Sequence, residues 1–388
     1  MKLYAGGMHL GGAGYPNAAN TIALLRNKSS FHVIEYGQWM PDDIRLWSIA
    51  RGGKFALLIF MARIISGNLY SLFRVCSACF RESAPVYVPY PSLFFLWFVS
   101  FLPKKFRPFC IVDAYISIWD SMFRDRGTAQ SESFVASFVR RVEARSLQAA
   151  AVVLVDTEAN KTMFIENFGL HPDKVLPLPL AIDEKCFNPI EVVEPVKNDS
   201  VITVLFVGTL IPLHGIPVLL DAVRLLSSEQ RISFRLIGDG QLANDVESFI
   251  EIEKPEQFVW IREWCSLERI ACEISSADIC LGVFGGTEKA ARVLPFKLYM
   301  YLAAGRAVIS QFLLSVPEGV PSPPILAVTP ANSESLADAI RTLADDAALR
   351  HQLAHDSKVY FGECLSNASV LRTWVSNIAT RFSSRNMD

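Results

Sequence analysis

Hydrophobic residues in the second half of the chain form short continuous runs separated by amphipathic segments. Short apolar runs that end at glycine or a polar residue are typical of strands buried on both faces of a sheet. The strand-like runs are VITVLFVG, ISFRLIGDG, FVWI, DICLGVF and RAVIS. The segments with helical spacing between them are QLANDVESFIEIE, SLERIACEISSA and PFKLYMYLAAG. This alternation predicts a parallel sheet covered by helices on both faces.

The first half of the chain alternates in the same way. Its strand-like runs are MKLYAGG, FHVIEYG, VYVPYP, FCIVDAY and AVVLVDT. Its helical segments are ANTIALLRN, ESFVASFVRRVEARSLQAA and TEANKTMFIENFG. Phe134, Phe138 and Val142 recur at every fourth position, which places them on one helix face with arginines on another. The predicted fold class is therefore α/β, with two Rossmann-like, doubly wound parallel-sheet domains.

The stretch EKCFNPIEVVEPVKNDS, residues 184–200, interrupts the alternation. It is rich in proline and acidic residues and follows neither periodicity, so it reads as a linker. We therefore place the first domain at 1–190 and the second at 191–360, and we expect 361–388 to form a C-terminal helix that crosses back to the first domain. An interdomain cleft is expected, with ligands beyond the carboxyl ends of the strands.

Two segments of the first domain are unusually apolar, FALLIFMARII (55–65) and SLFFLWFVSFL (92–102). Each apolar run is shorter than the roughly 18 to 20 residues that span a bilayer. One interpretation is that both are buried helices of a large α/β domain. The other is peripheral contact with an anionic membrane surface, because LPKKFRP adds a basic edge to the second segment. The pattern alone leaves both open.

Composition narrows the class of partner. The 388 residues are 51% hydrophobic and 20% charged, with a net charge of -2, which argues against a dedicated nucleic-acid binder. Eight cysteines and an N-terminus without a secretory pattern favour a cytoplasmic location, with the inner membrane face as an alternative. Cys76 and Cys79 form a lone CxxC without partners for a zinc site, so neither a metal nor a cofactor is expected.

The stretch VLFVGTLIPLHGIPVLLDAV, residues 204–223, has the layout of a phosphate-binding site, a strand, a glycine loop and a helix start. Glycines also follow the next strands, where they would let the backbone approach a nucleotide. The candidate donor-binding residues in these loops are Gly208, Thr209, His214, Gly238, Gly240 and Gly286. The stretch GGTEKAARVLPFK adds the cations Lys289, Arg292 and Lys297.

Together these stretches resemble glycosyltransferase family 4, the retaining sugar-nucleotide transferases of GT-B fold. VLFVGTLIPLHGIPVLLDAVRLL is similar to the first strand, loop and helix of the family's donor domain, and RLIGDGQLANDVESFI to the second. ADICLGVFGGTEKAARVLPFKLYMYLAAGRAVIS is similar to its donor-binding signature. The resemblance covers about residues 110–350 and is strongest over 201–311. It implies a metal-independent transferase in which the departing diphosphate oxygen helps to deprotonate the acceptor hydroxyl.

The sequence departs from the family at the groups that grip the donor. Members usually carry Arg and Lys around the first loop, where this chain has Thr209 and His214. The usual Glu-x7-Glu pair falls on Arg292 and Met300, neither of which is a carboxylate. This chain is thus either a divergent branch with another donor grip or no longer a transferase.

Cations after the DICLGVF strand are candidates to replace the missing groups. Lys289 and Arg292 are three residues apart, so a helical turn would place them on one side to clamp a diphosphate. The alternative is a solvated polar face. A phosphate near His214 would raise the pKa of the imidazole and favour the imidazolium, whereas a turn residue would only donate to a carbonyl.

In the first domain, Gly11 and Gly12 follow the first strand where the family's glycine-rich loop lies beneath the donor phosphates. Asp113 ends a buried strand, and Asp120 lies in the polar stretch after it. Either aspartate could position the acceptor hydroxyl, as a general base or by hydrogen bonding. Helix capping or a buried Asp–Arg pair would explain them equally well.

The expected partners are a nucleotide-diphosphate sugar and a glycan or lipid-linked acceptor, as in bacterial polysaccharide or glycolipid assembly. Asp113, Asp120 and His214 are the candidate catalytic residues. Two rival functions are a non-hydrolysing sugar-nucleotide epimerase and a non-catalytic nucleotide-sugar-binding protein. A dinucleotide dehydrogenase is disfavoured, because no strand leads into a GxGxxG helix start.

Overall fold

The computed structural model describes residues 1–10, 15–40, 53–125, 133–187, 201–263 and 265–385. The chain divides into two compact units. The first comprises Met1–Ala181 and Val370–Asp388, and the second comprises Ile182–Ser369. These divisions follow Ala181 and precede Val370, whereas the sequence analysis placed them after residues 190 and 360.

Among its described residues, the first unit contains eight strands, six of which form one parallel sheet. Its strands are β1 (Lys2–Ala5), β2 (Met8–His9), β3 (His32–Glu35), β4 (Gln38–Trp39), β5 (Val86–Val88), β6 (Cys110–Asp113), β7 (Val152–Val155) and β8 (Val175–Pro177). The spatial order is β3-β1-β5-β6-β7-β8, while β2 and β4 pair separately. The chain reverses its direction of winding between β1 and β5, which makes the carboxyl ends of these two strands the switch point of this sheet.

Helices cover both faces of this sheet. The helices of this part of the chain are α1 (Asn17–Lys28), α2 (Gly53–Arg81), α3 (Leu93–Val99), α4 (Phe134–Gln148) and α5 (Glu158–Phe168), with short turns at Lys104–Phe106, Asp120–Asp125 and Pro172–Lys174. One apolar cluster joins α2, α3, α4 and α5 to the sheet. A second cluster joins α1 to the opposite face.

The second unit repeats the alternation predicted from its sequence. Its strands are β9 (Ile202–Val207), β10 (Ile232–Ile237), β11 (Phe258–Ile261), β12 (Ile279–Leu281), β13 (Ala307–Gln311) and β14 (Leu326–Val328). All pairings are parallel, in the order β11-β10-β9-β12-β13-β14. This order places the switch point between β9 and β12.

The helices around this second sheet begin at capping residues. They are α6 (Glu184–Phe187), α7 (Ile216–Leu225), α8 (Ala243–Glu253), α9 (Leu267–Ser276), α10 (Glu288–Arg292), α11 (Phe296–Ala303), α12 (Ser333–Asp345) and α13 (Ala347–Tyr360), with turns at Pro212–His214 and Phe361–Leu365. Ser266, Thr287, Asn332 and Asp346 each accept a hydrogen bond from a backbone N–H three residues later. Short polar side chains before an apolar run thus fix where these helices start.

The last helix, α14 (Asn367–Arg385), completes the core of the first unit. Trp374 is 1% exposed and packs edge-on against Tyr87 of β5 at 5.7 Å between ring centres. Ile378 and Phe382 extend the same cluster along the helix. The four-residue steps from Val370 to Phe382 give the helix a continuous apolar face against the sheet.

The structure corrects one local interpretation and decides one choice that the sequence left open. The interpretation of 184–200 as a linker fails at its start, since Glu184–Phe187 form α6; residues 188–200 lie outside the described ranges. The apolar run at 55–65 is part of the 29-residue α2. Within this helix, Leu58–Arg81 is long and apolar enough to cross a membrane, and only 33% of its most apolar 18 residues is buried. A buried helix is therefore not what this segment forms.

Candidate functional site

The loop after β9 starts at Gly208, whose backbone has φ +151°, a conformation open to glycine. A Cβ atom on Gly208 would lie 3.0 Å from Lys297 Nζ. Gly238, after β10, has φ +142°, and its Cβ would lie 2.0 Å from the Gly208 carbonyl oxygen. The positive φ of Gly208 and the close backbone contact at Gly238 therefore favour glycine at both positions, before any nucleotide approaches them.

His214 ends the turn Pro212–His214 and is buried, with 8% exposure. Its Nδ1 lies 2.5 Å from the Thr209 carbonyl oxygen, so Nδ1 carries a proton and donates it. The His214 carbonyl accepts from Phe284 N at 3.2 Å, which ties this turn to the chain after β12. The loops at both sides of the switch point are thus joined through the backbone of the turn.

Lys297, in the first turn of α11, is buried beside the same loop at 4% exposure. Its Nζ lies 3.7 Å from the centre of the Phe206 ring and donates to the Gly282 carbonyl at 3.3 Å. Among the described residues, Lys297 contacts this carbonyl and this ring, and it forms no ion pair with a carboxylate. An ammonium held in the interior without an anion is costly, so the position favours an anionic ligand.

Burial lowers the pKa of both basic groups. Burial holds the pKa of Lys297 well below its ordinary value. Burial, and then the positive charge of Lys297, hold the pKa of His214 well below its ordinary 6.5. The imidazole is therefore neutral in the ligand-free protein, a state that the sequence analysis did not anticipate. An anion bound here would raise both pKa values.

The predicted clamp pair lies on α10, which contacts the turn that carries His214. Arg292 is buried at 8% exposure, and its Nε lies 3.5 Å from an exposed carboxylate oxygen of Glu288, one turn earlier in α10. Lys289 is half-buried on the same helix. The structure thus places Arg292 against the protein interior, whereas Lys289 is only half-buried. The spacing had suggested that both side chains would be equally available to a diphosphate.

The remaining glycines of the predicted loops serve the packing of the backbone. A Cβ atom on Gly240 would lie 2.6 Å from the Leu210 carbonyl oxygen. Gly286 has φ +64°, and its N–H donates to Gln311 Oε1 at 3.1 Å. Thr209 contributes the carbonyl that orients His214. These contacts hold the shape of the loops whether or not a nucleotide is bound.

Tyr301 is a positioning residue that the sequence analysis did not single out. Its hydroxyl accepts from the backbone N–H of Val207, the last residue of β9, at 3.0 Å. The side chain is fully buried, one residue after Met300, where the family's second Glu would stand. Tyr301 therefore fixes the strand end from which Gly208 departs, and the available signal was a pair of tyrosines, Tyr299 and Tyr301, in an apolar helix.

In the first unit, Asp113 is fully buried at the end of β6 and accepts several hydrogen bonds. Tyr15 Oη donates to Oδ1 at 2.8 Å, while Asn17 Nδ2 and Tyr87 Oη donate to Oδ2 at 3.1 and 3.4 Å. Burial raises its pKa to about 6 despite these donors. The carboxylate thus anchors the start of α1, and among the described residues it forms no ion pair with an arginine.

Asp120 is also buried, at 2% exposure, and its backbone N–H donates to Ser117 Oγ. Beside it lies Glu143 of α4, a carboxylate that the sequence analysis missed. Glu143 accepts from Ser117 Oγ and from the N–H groups of Ile118 and Trp119, at 2.8 to 3.2 Å. Burial raises its pKa to about 7. Its single acidic position in an amphipathic helix gave no hint of this role.

The predicted donor-binding residues Gly11 and Gly12 lie outside the described ranges. His9 precedes that loop. It is fully buried and packs edge-on against Trp39, with the ring centres 4.1 Å apart. Burial lowers the pKa of His9 to about 4. A neutral imidazole therefore lies at the carboxyl edge of this sheet.

Within the described residues, no group of three His, Cys, Asp or Glu side chains is placed to hold a metal ion. The chemistry that the described residues offer is instead of two kinds. The second unit holds a cationic amino group and an imidazole at a glycine loop, suited to an anionic group of a ligand. The first holds buried carboxylates whose oxygens already accept hydrogen bonds from the protein.

Part of the second unit matches a known protein family. Residues 201–346, which contain β9 to α12, match the family described as Glycosyl transferases group 1. The two parallel-sheet α/β units are those of a GT-B fold, as the sequence resemblance implied. No curated protein sequence matches the chain.

Solved structures with this fold match almost the whole chain. HepE from Anabaena, crystallised with UDP, is 14% identical with a TM-score of 0.66 and covers 98% of this chain and 100% of its own. Sucrose-phosphate synthase from Thermosynechococcus elongatus is 14% identical with a TM-score of 0.71, over 99% of both chains. A glycosyltransferase from Rickettsia africae is 13% identical with a TM-score of 0.61, over 97% of both. At this level of identity, the comparison identifies the fold.

Proposed function

We propose that the protein is a retaining, metal-independent glycosyltransferase that moves a hexosyl group from a nucleotide-diphosphate sugar to an acceptor hydroxyl. The observation that carries the proposal is Lys297, a buried amino group beside Gly208 at the switch point of the second sheet. Its position suits the diphosphate of a donor, whose charge would replace the missing carboxylate partner.

Electrostatic stabilisation of the leaving group is the main contribution that this chain would make. In the proposed reaction the bond from the anomeric carbon to the diphosphate oxygen breaks while the acceptor oxygen attacks on the same face. The departing oxygen takes the acceptor proton, and Lys297 with His214 stabilises the charge that develops on the diphosphate. Lys289 of α10 would add a further cation from the neighbouring helix.

A uridine nucleotide is the first donor to test. HepE was also crystallised with UDP-glucose and with UDP and glucose. The acceptor is proposed to be a glycan or a lipid-linked sugar on the cytoplasmic side, as in polysaccharide or glycolipid assembly. The first unit would bind it, and Asp113 would act by holding Tyr15 and Asn17 in place, since its own oxygens are occupied.

The test is a thermal-shift panel of UDP, GDP, TDP and CMP sugars, because a ligand that binds the native state raises its melting temperature. Lys297→Met should remove the shift, and the control Lys358→Met, at an exposed site of α13, should retain it. A stabilising donor would then be incubated with candidate acceptors, and NMR would give the anomeric configuration of the product. Stabilisation by none of the donors, or inversion of configuration, would contradict the proposal.

The same experiments separate the two rivals. An epimerase would convert the donor without an acceptor and release a second nucleotide sugar. A non-catalytic binding protein would show the thermal shift without turnover. Transfer that depends on both donor and acceptor is expected from neither.

A further inference from the structure

Helix α2 exposes an apolar stripe that the fold of the first unit does not cover. Three and four residues separate its successive members, so they lie above one another along the helix. The stripe consists of Leu58, Ala62, Ile65, Leu69, Phe73, Cys76 and Phe80. Phe73 and Phe80 are 70% and 77% exposed, and Leu58 is 66% exposed. Large exposed apolar surfaces of this kind mark sites of interaction.

The opposite side of α2 is fastened to the sheet, so the helix cannot leave the unit to span a bilayer. Asn68 and Ser71 are buried, and their side-chain oxygens accept from the backbone N–H groups of Met8 and Gly7 at 3.1 and 2.8 Å. Leu72, Val75 and Ala78 belong to the apolar core on this face. Only the outer half of the helix is therefore available to a partner.

Positive charge borders the stripe. Arg63, Arg74 and Arg81 are separated by eleven and seven residues, which places them along one edge of the helix, and α2 contains no acidic residue. All three are exposed, and none takes part in an ion pair between described residues. Arg74 instead lies 4.9 Å from the centre of the Tyr36 ring. An apolar strip with a cationic border complements an anionic lipid surface.

The surface continues beyond the C-terminal end of α2. The rings of Phe80 and Phe106 lie 6.2 Å apart, and both line a cavity of about 290 Å³ together with Lys105 and Arg107. Aromatic and basic side chains that meet at one edge are typical of the membrane–water interface.

We infer that the outer face of α2, with Phe106 and its neighbouring cations, is a docking surface for an anionic lipid bilayer, and that α2 lies in the interface plane. This surface is separate from the proposed donor site, so the inference holds or fails independently of glycosyl transfer. It also resolves the choice left by the apolar sequence segments, because α3 is largely buried while α2 faces outward.

The experiment is flotation of the intact protein with phosphatidylcholine vesicles and with vesicles that also contain phosphatidylglycerol. The wild type should float with the anionic vesicles, and less so in about 0.5 M salt, because salt screens the arginines. The stripe variant carries Leu69→Ser, Phe73→Ser and Phe80→Ser, and it should lose at least about tenfold in partitioning. Its control carries Leu225→Ser, Ile252→Ser and Phe312→Ser, exposed apolar sites of the second unit, and should bind as the wild type does.

A charge variant tests the basic edge even if the stripe variant folds poorly. Arg63→Gln, Arg74→Gln and Arg81→Gln together should lower partitioning into anionic vesicles on the order of 100-fold, at about fivefold for each arginine. Binding to phosphatidylcholine should not change. A wild type that stays with the unbound fraction, or a stripe variant that floats like its control, would overturn the inference. So would light scattering in which the wild type is a dimer, the stripe variant a monomer, and neither binds vesicles.

Discussion

In both units a six-stranded parallel sheet is wound in two directions from a switch point, yet the first sheet buries acidic groups near its carboxyl edge and the second buries basic groups. The first buries Asp113 and Glu143, whose oxygens accept hydrogen bonds from hydroxyl, amide and backbone N–H groups. The second buries Lys297 and His214. Each of them contacts a backbone carbonyl and the Phe206 ring.

This difference separates ionisable groups that are satisfied within the protein from ionisable groups that would gain a partner from a ligand. A buried carboxylate with three donors is satisfied within the protein, so its removal should harm the fold. A buried cation without an anion destabilises the fold and is retained where a ligand supplies the missing charge. The comparison therefore predicts that substitutions of the buried acids in the first unit will lower stability. Substitutions of the buried bases in the second unit should lower donor affinity.

The largest effect is expected for Lys297→Met. Donor affinity should fall by about 100-fold or more, because the diphosphate loses its buried cationic partner. The ligand-free protein should keep or increase its free energy of unfolding, since an apolar side chain of similar length replaces a desolvated ammonium. Isothermal titration with UDP and urea denaturation measure the two quantities. A variant that is destabilised but binds UDP normally would break the comparison.

Asp113→Asn should give the opposite result. The amide offers one acceptor oxygen where the carboxylate offers two, so the free energy of unfolding should fall by about 2 kcal/mol. Affinity for UDP should be unchanged, because the residue lies in the other unit and its partners are Tyr15, Asn17 and Tyr87. Urea denaturation and titration of the same preparation check this, and a selective loss of donor affinity would count against it.

His214→Ala should weaken donor binding by about tenfold, and more at pH 6 than at pH 8. The pKa of His214 lies well below 6.5 in the free protein, and a bound diphosphate raises it. The complex therefore takes up a proton, which makes wild-type affinity rise as the pH falls. Titration in buffers of different ionisation enthalpy detects the uptake. Equal losses at both pH values would show that the histidine only completes its turn.

The smallest effect concerns Glu143 and the dependence of stability on pH. Its pKa is raised to about 7 in the folded protein from an ordinary 4.5, so the folded state holds a proton that the unfolded state has released. Wild-type stability should therefore fall as the pH rises from about 4.5 to 7. Glu143→Gln should reduce this slope and cost about 1 kcal/mol at pH 5. Urea denaturation across this range measures both, and an unchanged slope would exclude Glu143 as its source.

The sequence predicted the strands and the loops of the candidate donor site well, because short apolar runs ending in glycine are a strong local signal. Lys297 was among the cations considered, but its spacing could not show that it, rather than Arg292, lies beside Gly208. The choice depends on how α10 and α11 pack, which no local pattern encodes.

Helix α2 shows why the apolar segments alone left the choice of environment open. Its buried side carries the polar Asn68 and Ser71 beside Val75, while its exposed side carries Phe73 and Phe80, so hydropathy does not separate the two sides. A method that assigns apolar residues to the core assigns such a helix to the wrong environment. The burial of Glu143 was missed for a similar reason, because a single acidic residue in an amphipathic helix is expected to face solvent.

The packing of α14 has a consequence for biosynthesis. Trp374, Ile378 and Phe382 complete the core of the first unit, but the ribosome adds them only after it has made residues 182–369. At the usual rate of synthesis this delay is on the order of 10 s. During that time the first sheet exposes the apolar face that α14 later covers. The nascent chain therefore passes through a stage in which its earliest unit is unfinished and available to chaperones.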